Sequence, residues 1–205
     1  MSFELVVVGA SLGGLRALET VLGGLARGFA LPIAIVLHLR ADDTVGPVDY
    51  LQRRCALAVG EAEDKESIEA GRIYLAPADY HLLVERGSFS LSTEAPVLHA
   101  RPSIDVLFES AADAFRDGVI GVLLTGASSD GARGASWIKK RGGILIVQDP
   151  STAESPIMPR AAIAAAGVDW ILPLGKIADR LTSFSRQSRR AKRKRGERSP
   201  AVSEA

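Results

Sequence analysis

A serine stands in a turn of small residues near the start of the chain. Ser11 is the central residue of GASLG, which matches the G-x-S-x-G pattern. An apolar run, residues 3–8, precedes the pattern, and residues 15–25 carry apolar side chains at helical spacing after it. A sharp turn from strand to helix exposes a serine hydroxyl and directs the first helical N–H groups, including that of Leu12, at a developing oxyanion. The pattern therefore predicts that Ser11 is a nucleophile in acyl transfer.

The same strand, turn and helix are also compatible with binding the pyrophosphate of a dinucleotide. However, the residues are GASLGG rather than G-x-G-x-x-G. The second apolar run, residues 32–37, ends at His38, with no acidic residue at its tip to bind a ribose. A hydroxyl also occupies the apex of the turn, where a nucleotide site usually has glycine. Nucleotide binding is therefore the weaker alternative, although the motif alone does not exclude it.

A serine hydroxyl becomes a good nucleophile only when a proton acceptor lies within hydrogen-bond reach. His38 ends an apolar run, where it fits either a catalytic base or a buried structural histidine. In a doubly wound sheet the carboxyl ends of neighbouring strands share one edge, so adjacent first and second strands would bring Ser11 and His38 to one crevice. His81, between short strands, favours a loop or supporting position. His99, before a turn, fits solvent and substrate contact equally well.

A catalytic imidazole needs a carboxylate that fixes its tautomer and stabilises its charged form. Asp130 follows the apolar run 119–124, in the turn TGASSDG. If that strand flanks the first one on the side away from the second, the three loops meet where the strand order reverses. Asp149 also follows a strand and is the second choice. Asp105 is expected in the first turn of a helix, where a carboxylate suits the helix dipole.

These loops need a sheet that positions them, and the pattern of the whole chain predicts one. Apolar runs alternate with segments of helical periodicity, which predicts βαβ units and an α/β fold with a doubly wound, mostly parallel sheet. A small β-hairpin is expected where residues 82–84 pair with residues 89–91. The predicted strands are 3–8, 32–37, 72–75, 119–124, 144–147 and 170–172, and the predicted helices are 15–25, 45–55, 104–115, one carrying Trp137 and ending at Gly142-Gly143, 159–166 and 174–184.

Composition fits one globular domain followed by a tail. The 205 residues are 47% hydrophobic, which is enough for a single core, and the formal net charge is +1. That balance hides a division, because eight basic and two acidic residues occur from Arg186 onward, against 17 basic and 22 acidic residues before it. We therefore expect a folded domain over residues 1–184 and a basic, disordered tail over residues 185–205.

The single cysteine, Cys55, excludes an internal disulfide and favours a reducing compartment. We interpret it as a buried structural thiol. The N-terminus has no signal-peptide pattern, and its apolar run is too short to span a membrane. These observations predict a cytoplasmic protein. No cluster of Cys, His and Asp has metal-ligand spacing, so neither a metal nor a cofactor is expected.

Further motifs follow the nucleophile turn in a fixed order. They are His38 closing an apolar strand, IYLAP with His81, RPSID from Arg101, TGASSDG with Asp130, Gln148-Asp149 and Met158-Pro159-Arg160. Together with GASLGG, these motifs resemble the chemotaxis protein-glutamate methylesterases, the CheB-type catalytic domains. The resemblance covers nearly everything from residue 3 to about residue 181, and several separated motifs in order are more specific than any one of them.

The resemblance implies a Rossmann-like, three-layer αβα domain that hydrolyses glutamyl methyl esters on the cytoplasmic helices of methylated chemoreceptors. Members of this family often deamidate receptor glutamines as well. The family triad of serine, histidine and aspartate carries over to Ser11, His38 and Asp130, and backbone donors near Leu12 and Ala127 would bind the oxyanion. The remaining expected oxyanion and substrate residues are Gly13, Arg101 and Met158.

The chain departs from the family pattern beside the nucleophile and the base. Leu12 stands where threonine is usual, Leu37-His38-Leu39-Arg40 stands where Gln-His-Met-Pro is usual, and Ala127-Ser128 replaces methionine-glycine. These changes bear on the substrate groove more than on the triad, and they keep open a serine hydrolase of another ester or amide. A non-catalytic regulatory module of the same fold is a further alternative, against which the intact triad residues argue.

Most members of this family carry a phosphorylatable receiver domain ahead of the catalytic domain, whereas here the first strand begins at Phe3. We therefore expect no receiver domain in this chain, and an activity that is either ungated or governed by a separate regulatory protein. The basic tail is compatible with contact to acidic partners such as receptor helices, nucleic acid or an anionic membrane. A solubilising role without any partner fits the same composition.

Overall fold

The computed structural model describes residues 3–38 and 46–196, in which seven strands form a central sheet and two form a hairpin. The strands are β1 (Leu5–Ala10), β2 (Ile33–Leu37), β3 (Ala58–Glu61), β4 (Arg72–Leu75), β5 (His81–Val84), β6 (Phe89–Ser92), β7 (Val119–Leu123), β8 (Ile144–Gln148) and β9 (Trp170–Leu172). The order across the sheet is β3-β4-β2-β1-β7-β8-β9, and every neighbouring pair is parallel. The hairpin pairs β5 with β6 antiparallel. The predicted doubly wound sheet and small hairpin are confirmed.

Helices cover both faces of the sheet. Those in the described residues are α1 (Gly14–Gly23), α2 (Pro47–Gln52), α3 (Ile104–Phe115), α4 (Ala132–Lys140), α5 (Ile157–Ala165) and α6 (Leu174–Gly196). Successive residues of β1 face opposite layers: Val6 and Val8 pack in the core with α1, α2 and α6, whereas Leu5 and Val7 pack with α3, α4 and α5. Because both faces are covered, the strand is apolar throughout, which is why the sequence shows it as a continuous run.

One strand, β3, has no counterpart in the prediction. Its four residues, Ala-Val-Gly-Glu, are exposed or half-buried, so they lack the apolar run by which the other strands were identified. The strand lies at the outer edge of the sheet and pairs with β4 alone. An edge strand that buries little apolar surface leaves only a weak signal in the sequence.

Helix α6 extends beyond Phe184, so the structure differs from the predicted disorder over residues 185–196. Ser185 and Ser188 are buried: the Ser185 hydroxyl accepts a hydrogen bond from Ala30 N at 3.0 Å, and the Ser188 hydroxyl accepts one from Phe3 N at 2.8 Å. The basic residues that follow also have good helix propensity. A helical segment that is held to the rest of the domain by serine hydrogen bonds shows no apolar periodicity in the sequence, so the pattern could not predict it. The remainder of the predicted tail, residues 197–205, lies outside the described residues.

These serine contacts place the end of α6 at the amino edge of the sheet. Ala30 precedes β2 and Phe3 precedes β1, whereas His38 and Ser11 follow the same two strands at the carboxyl edge. Five or six residues of strand separate the two edges, which is about 16–20 Å. The basic end of α6 and the predicted catalytic residues therefore lie on opposite edges of the sheet.

Candidate active site

The strand register brings Ser11 and His38 together at the carboxyl edge of the central strands. Ala10 of β1 is level with Leu37 of β2, so the residues that follow them, Ser11 and His38, are neighbours. His38 N donates to Ala10 O at 3.0 Å, and on the other side of β1 Ser11 N donates to Thr125 O at 3.0 Å. With β2 on one side of β1 and β7 on the other, this edge is where the strand order reverses.

Ser11 lies in a tight turn that leads from β1 into α1. A hydrogen bond of 2.7 Å from Gly14 N to Ser11 O closes the turn. Gly13, the N-cap residue of α1, has a φ of +75°, a left-handed conformation that glycine adopts without strain. A Cβ on Gly13 would also lie only 2.7 Å from Glu154 Cβ. Conformation and space therefore both require glycine two residues after the serine.

His38 and Asp130 are hydrogen-bonded to each other. His38 Nε2 lies 2.9 Å from Asp130 Oδ2, and the side chain of His38 is 16% exposed while that of Asp130 is fully buried, at 0%. A carboxylate bound at Nε2 fixes the ring proton there and leaves Nδ1 as the proton acceptor. Among the described residues, the Ser11 hydroxyl makes no hydrogen bond. Such contacts are often long in unliganded sites and shorten when substrate binds.

The Asp130 carboxylate also caps the N-terminus of α3. It accepts hydrogen bonds from Ile104 N at 2.7 Å, Asp105 N at 3.0 Å and the Ser103 hydroxyl at 2.9 Å. Burial raises the pKa of Asp130, but the hydrogen bonds from His38, from these two N–H groups and from Ser103 outweigh burial, so the pKa lies below its ordinary value. The carboxyl is therefore ionised at neutral pH, which is the form that stabilises a charged imidazole.

Asp105 makes the reciprocal contact at the N-terminus of α4. Its Oδ1 accepts hydrogen bonds from Gly131 N at 2.9 Å and Gly134 N at 2.8 Å, and its Oδ2 lies 3.7 Å from Arg133 Nε. Burial raises the pKa of Asp105, and the charge of Asp130 raises it further. The hydrogen bond from Gly134 N–H lowers it, but the pKa still lies above its ordinary value. Asp130 thus caps α3, the helix that contains Asp105, and Asp105 caps α4, the helix that follows Asp130. We call these two aspartates the crossed caps. Asp105 lies in the first turn of α3, as predicted.

The other candidate histidines and aspartate lie outside this pair. Buried His81 accepts a hydrogen bond from Ser103 N at Nδ1, at 3.2 Å, and its Nε2 lies 3.2 Å from Ala95 O. It therefore supports Ser103, which binds Asp130, in agreement with the predicted supporting position, but it is the first residue of β5 rather than part of a loop. His99 is exposed, with a φ of +65°. The side chain of Asp149 accepts hydrogen bonds within its own turn and not from His38.

Two backbone N–H groups belong to residues close to Ser11: Leu12 follows it directly, and Ala127 follows Gly126, which approaches Ser11 Cβ. Within residues 3–38 and 46–196, neither Leu12 N nor Ala127 N donates a hydrogen bond. The Leu12 side chain is 40% exposed and Ala127 is also exposed. Donors left available beside a nucleophile are what the oxyanion of a tetrahedral intermediate requires.

Met158 is fully buried and packs on Gly126, whereas Arg101 contacts its own loop. A Cβ on Gly126 would be 2.6 Å from Met158 Cε and 3.0 Å from Ser11 Cβ, so Met158 and Ser11 both pack on this glycine. Arg101 Nη1 donates to the carbonyl oxygens of residues 93–94 at 3.0 and 3.2 Å. Its Nε is buried and has no hydrogen-bond partner in the described part of the chain. Of these two predicted substrate residues, only Met158 thus packs on a residue that Ser11 also contacts.

A buried threonine that the sequence analysis missed joins the nucleophile turn to the segment after β8. Thr125 Oγ1 donates to Leu12 O at 2.9 Å and accepts from Ser155 N at 2.9 Å. The Gln148 side chain accepts from Thr125 N at 2.8 Å and donates to Thr152 O at 2.9 Å. Polar residues at the ends of apolar strands are the signal that could have identified both Thr125 and Gln148.

Comparison with known proteins places this arrangement in a family. The model of the CheB methylesterase family matches residues 6–181, which include the crossed caps and the loops that carry Ser11 and His38. The chain belongs to the CheB methylesterase family. A relative from Leptospira interrogans, provisionally named a protein-glutamate methylesterase/protein-glutamine glutaminase, is 48% identical over 180 residues, covering 87% of this chain and 93% of that protein. The protein-glutamate methylesterase/protein-glutamine glutaminase 2 of Anaeromyxobacter dehalogenans is 42% identical over 183 residues, covering 89% of this chain and 54% of that protein.

A solved CheB structure has the same fold. The catalytic domain of the CheB methylesterase from Thermotoga maritima matches with a TM-score of 0.84 and 34% sequence identity. The match covers 90% of this chain and 100% of that one, so the three-layer architecture is the CheB catalytic fold. In the part of the chain that the structure describes, no helix is both long and apolar enough to cross a bilayer.

Proposed function

We propose that this CheB-family protein is a protein-glutamate methylesterase that hydrolyses glutamyl methyl esters on the cytoplasmic helices of methylated chemoreceptors. The observation that carries the proposal is the hydrogen-bonded pair of His38 and Asp130, which stands in register beside Ser11 at the carboxyl edge of the sheet. A serine, an imidazole with a fixed tautomer and a buried carboxylate are the components of acyl transfer through a covalent intermediate.

The acylation step uses each of these groups. His38 Nδ1 takes the proton of Ser11 while Ser11 Oγ attacks the ester carbonyl, and the N–H groups of Leu12 and Ala127 bind the resulting oxyanion. When the intermediate collapses, the bond to the methoxy oxygen breaks and that oxygen takes the proton from His38. Methanol leaves and the glutamyl ester of Ser11 remains, while Asp130 stays ionised throughout.

Water completes the reaction. His38 removes a proton from water as its oxygen adds to the acyl carbon, and Ser11 then leaves with that proton. The released glutamic acid side chain loses its remaining acidic proton to solvent and becomes a carboxylate. A glutamine side chain enters the same sequence with ammonia as the leaving group. We therefore propose glutamine deamidation as a second reaction of the same site, in keeping with the glutaminase activity in the names of both relatives.

The test is to measure methanol and ammonia released from receptor cytoplasmic fragments that carry methyl glutamate, glutamine or glutamate at the reacting positions. We expect methanol from the first fragment, ammonia from the second at a lower rate, and neither product from the third. Protein inactivated by a serine-directed fluorophosphonate serves as the blank. If the protein reacts with the fluorophosphonate but releases no methanol, the proposed substrate class is wrong and a hydrolase of another ester or amide is favoured.

We also propose that the basic end of α6 increases the rate at which acidic receptor helices associate with the protein. Arg186, Arg189, Arg190 and Arg193 are exposed on the last turns of this helix. They neighbour or follow Ser185 and Ser188, which contact the amino edge of the sheet, and about 16–20 Å of strand separates that edge from the one that carries Ser11. At that distance they act through the long-range field of the protein rather than by contact at the reacting ester.

Replacing Arg186, Arg190 and Arg193 with glutamine should lower kcat/KM for the receptor fragment about two- to tenfold at low ionic strength. The substitutions leave Ser185 and Ser188 in place, so α6 remains fastened to the sheet. The difference should vanish near 1 M salt, where the Debye length is about 3 Å, while kcat stays unchanged. Equal kcat/KM values at low salt would contradict electrostatic steering by this helix.

A further inference from the structure

A carboxylate packs directly against the nucleophile turn. A Cβ on Gly13 would lie 2.7 Å from Glu154 Cβ and 2.6 Å from Glu154 Oε2, so the whole side chain of Glu154 lies over Gly13. Gly13 is two residues from Ser11 and follows Leu12, whose N–H is one of the two available donors. The Glu154 side chain is exposed, and within the described residues it forms neither an ion pair nor a hydrogen bond. A negative charge thus stands beside the nucleophile turn, and no cation among residues 3–38 and 46–196 is paired with it.

The backbone at Glu154 is held to the nucleophile turn through hydrogen bonds of the next residue, Ser155. Ser155 N donates to Thr125 Oγ1 at 2.9 Å, and the same hydroxyl donates to Leu12 O at 2.9 Å. Ser155 O in turn accepts a hydrogen bond from Gly126 N at 3.2 Å. Because these bonds join buried groups on both sides of Ser11, the position of Glu154 relative to the nucleophile is a built feature of the site.

The reaction changes the charge of the group that occupies this site. A glutamyl methyl ester and a glutamine side chain are neutral, whereas the product is a glutamate carboxylate. Two carboxylates close together repel each other, and water and salt weaken that repulsion without abolishing it. A carboxylate held beside the acyl site would therefore disfavour the charged product and leave the binding of a neutral substrate nearly unchanged.

We propose that Glu154 is a selectivity residue that expels the glutamate carboxylate after hydrolysis and prevents demethylated receptor from occupying the site. The inference rests on the proposed function, because it takes the acyl group to be a glutamyl side chain. It assigns a role to a residue outside the triad and the oxyanion donors. Its consequence is that the enzyme is weakly inhibited by unmethylated receptor, which accumulates as the reaction proceeds.

The test compares the inhibition of methanol release by fragments that carry glutamate or glutamine at the reacting positions. In Glu154→Gln, which preserves the shape of the side chain over Gly13, the inhibition constant of the glutamate fragment should fall about two- to fivefold at low salt. The inhibition constant of the glutamine fragment should not change. Glu4→Gln is the matched control, because Glu4 is an exposed residue next to β1 at the opposite edge of the sheet. Equal inhibition constants in the native protein and Glu154→Gln would overturn the proposal, since glutamine fills a merely structural role equally well.

A second measurement separates this inference from the proposed function. The p-nitrophenyl ester of monomethyl glutarate is neutral, and the p-nitrophenyl ester of glutaric acid carries a carboxylate on the same acyl chain. Glu154→Gln should raise the rate on the anionic ester relative to the neutral one about two- to fivefold, and Glu4→Gln should leave the ratio unchanged. An unchanged ratio in Glu154→Gln overturns the charge selectivity, whereas missing methanol release together with a changed ratio overturns only the receptor substrate.

Discussion

Replacing Ser11 with alanine should lower the rate of methanol release from methylated receptor at least about 10⁴-fold. Without the hydroxyl no acyl intermediate forms, and what remains is binding and oxyanion stabilisation of a direct attack by water. The protein should remain folded, because the Ser11 hydroxyl makes no hydrogen bond among the described residues. Methanol release in single-turnover experiments and thermal unfolding of the same preparations measure the two expectations.

Ser129→Ala is the matched control for this substitution. Ser129 is exposed in the loop that leads to Asp130. Ser129→Ala removes a hydroxyl group, as Ser11→Ala does, but leaves the nucleophile turn unchanged. Its methanol release should stay within about twofold of the native rate, since surface substitutions rarely disturb a structure. Residual activity of Ser11→Ala above about one per cent of the native rate would show that another residue forms the acyl intermediate, and our assignment of the nucleophile would then be wrong.

Asp130→Asn should lower kcat about 10³- to 10⁴-fold and also destabilise the fold. The carboxylate binds His38 Nε2 at 2.9 Å, and an amide in its place stabilises the charged imidazole less and allows the wrong tautomer. The same carboxylate caps α3 through Ile104 N and Asp105 N, which would lose part of their acceptor. We expect a loss of about 1–3 kcal/mol in the free energy of unfolding at pH 7. Pre-steady-state kinetics and denaturant titrations measure the two effects separately.

The pH dependence of this stability loss follows from the lowered pKa of Asp130. A carboxyl group whose pKa is lower in the folded state stabilises the fold fully above its ordinary pKa, near 3.9, and loses that contribution as the pH falls through the lower, folded value. The difference in stability between the native protein and Asp130→Asn should therefore be constant near neutral pH and shrink below about pH 4. Asp105, whose pKa is raised, has the opposite dependence, and it cancels only in part between the two proteins because the charge of Asp130 contributes to that rise. A difference that persists unchanged at pH 3 would contradict this electrostatic origin.

The parts of the fold and site that could be predicted from the sequence have local signals. A strand such as β1, buried on both faces, is apolar throughout, and the turn that follows it carries Ser11 in a recognisable pattern. The meeting of His38 with Asp130 was predictable only as a condition on strand order, because 92 residues separate them. The observed order, with β1 between β2 and β7, satisfies that condition.

The features that escaped prediction depend on contacts between distant segments. The capping of α3 by Asp130 joins residues about 26 apart through side-chain and backbone atoms, and the serine contacts of α6 join residues more than 150 apart. Neither kind of contact produces a hydrophobic period. Glu154 is similar, since nothing in its own neighbourhood along the chain indicates that it packs on Gly13. Single hydrogen bonds and close approaches of this sort require coordinates.

The crossed caps have a consequence for the evolutionary record of this fold. Asp130 accepts three hydrogen bonds that order the start of α3 in addition to its contact with His38. We therefore expect selection for a folded protein to retain this aspartate even in lineages that have lost esterase activity. The Ser11 hydroxyl makes no hydrogen bond among the described residues, so we expect Ser11 to be substituted freely once activity is lost. Among descendants of this protein, retention of Ser11 would therefore indicate selection for catalysis, whereas retention of Asp130 would not.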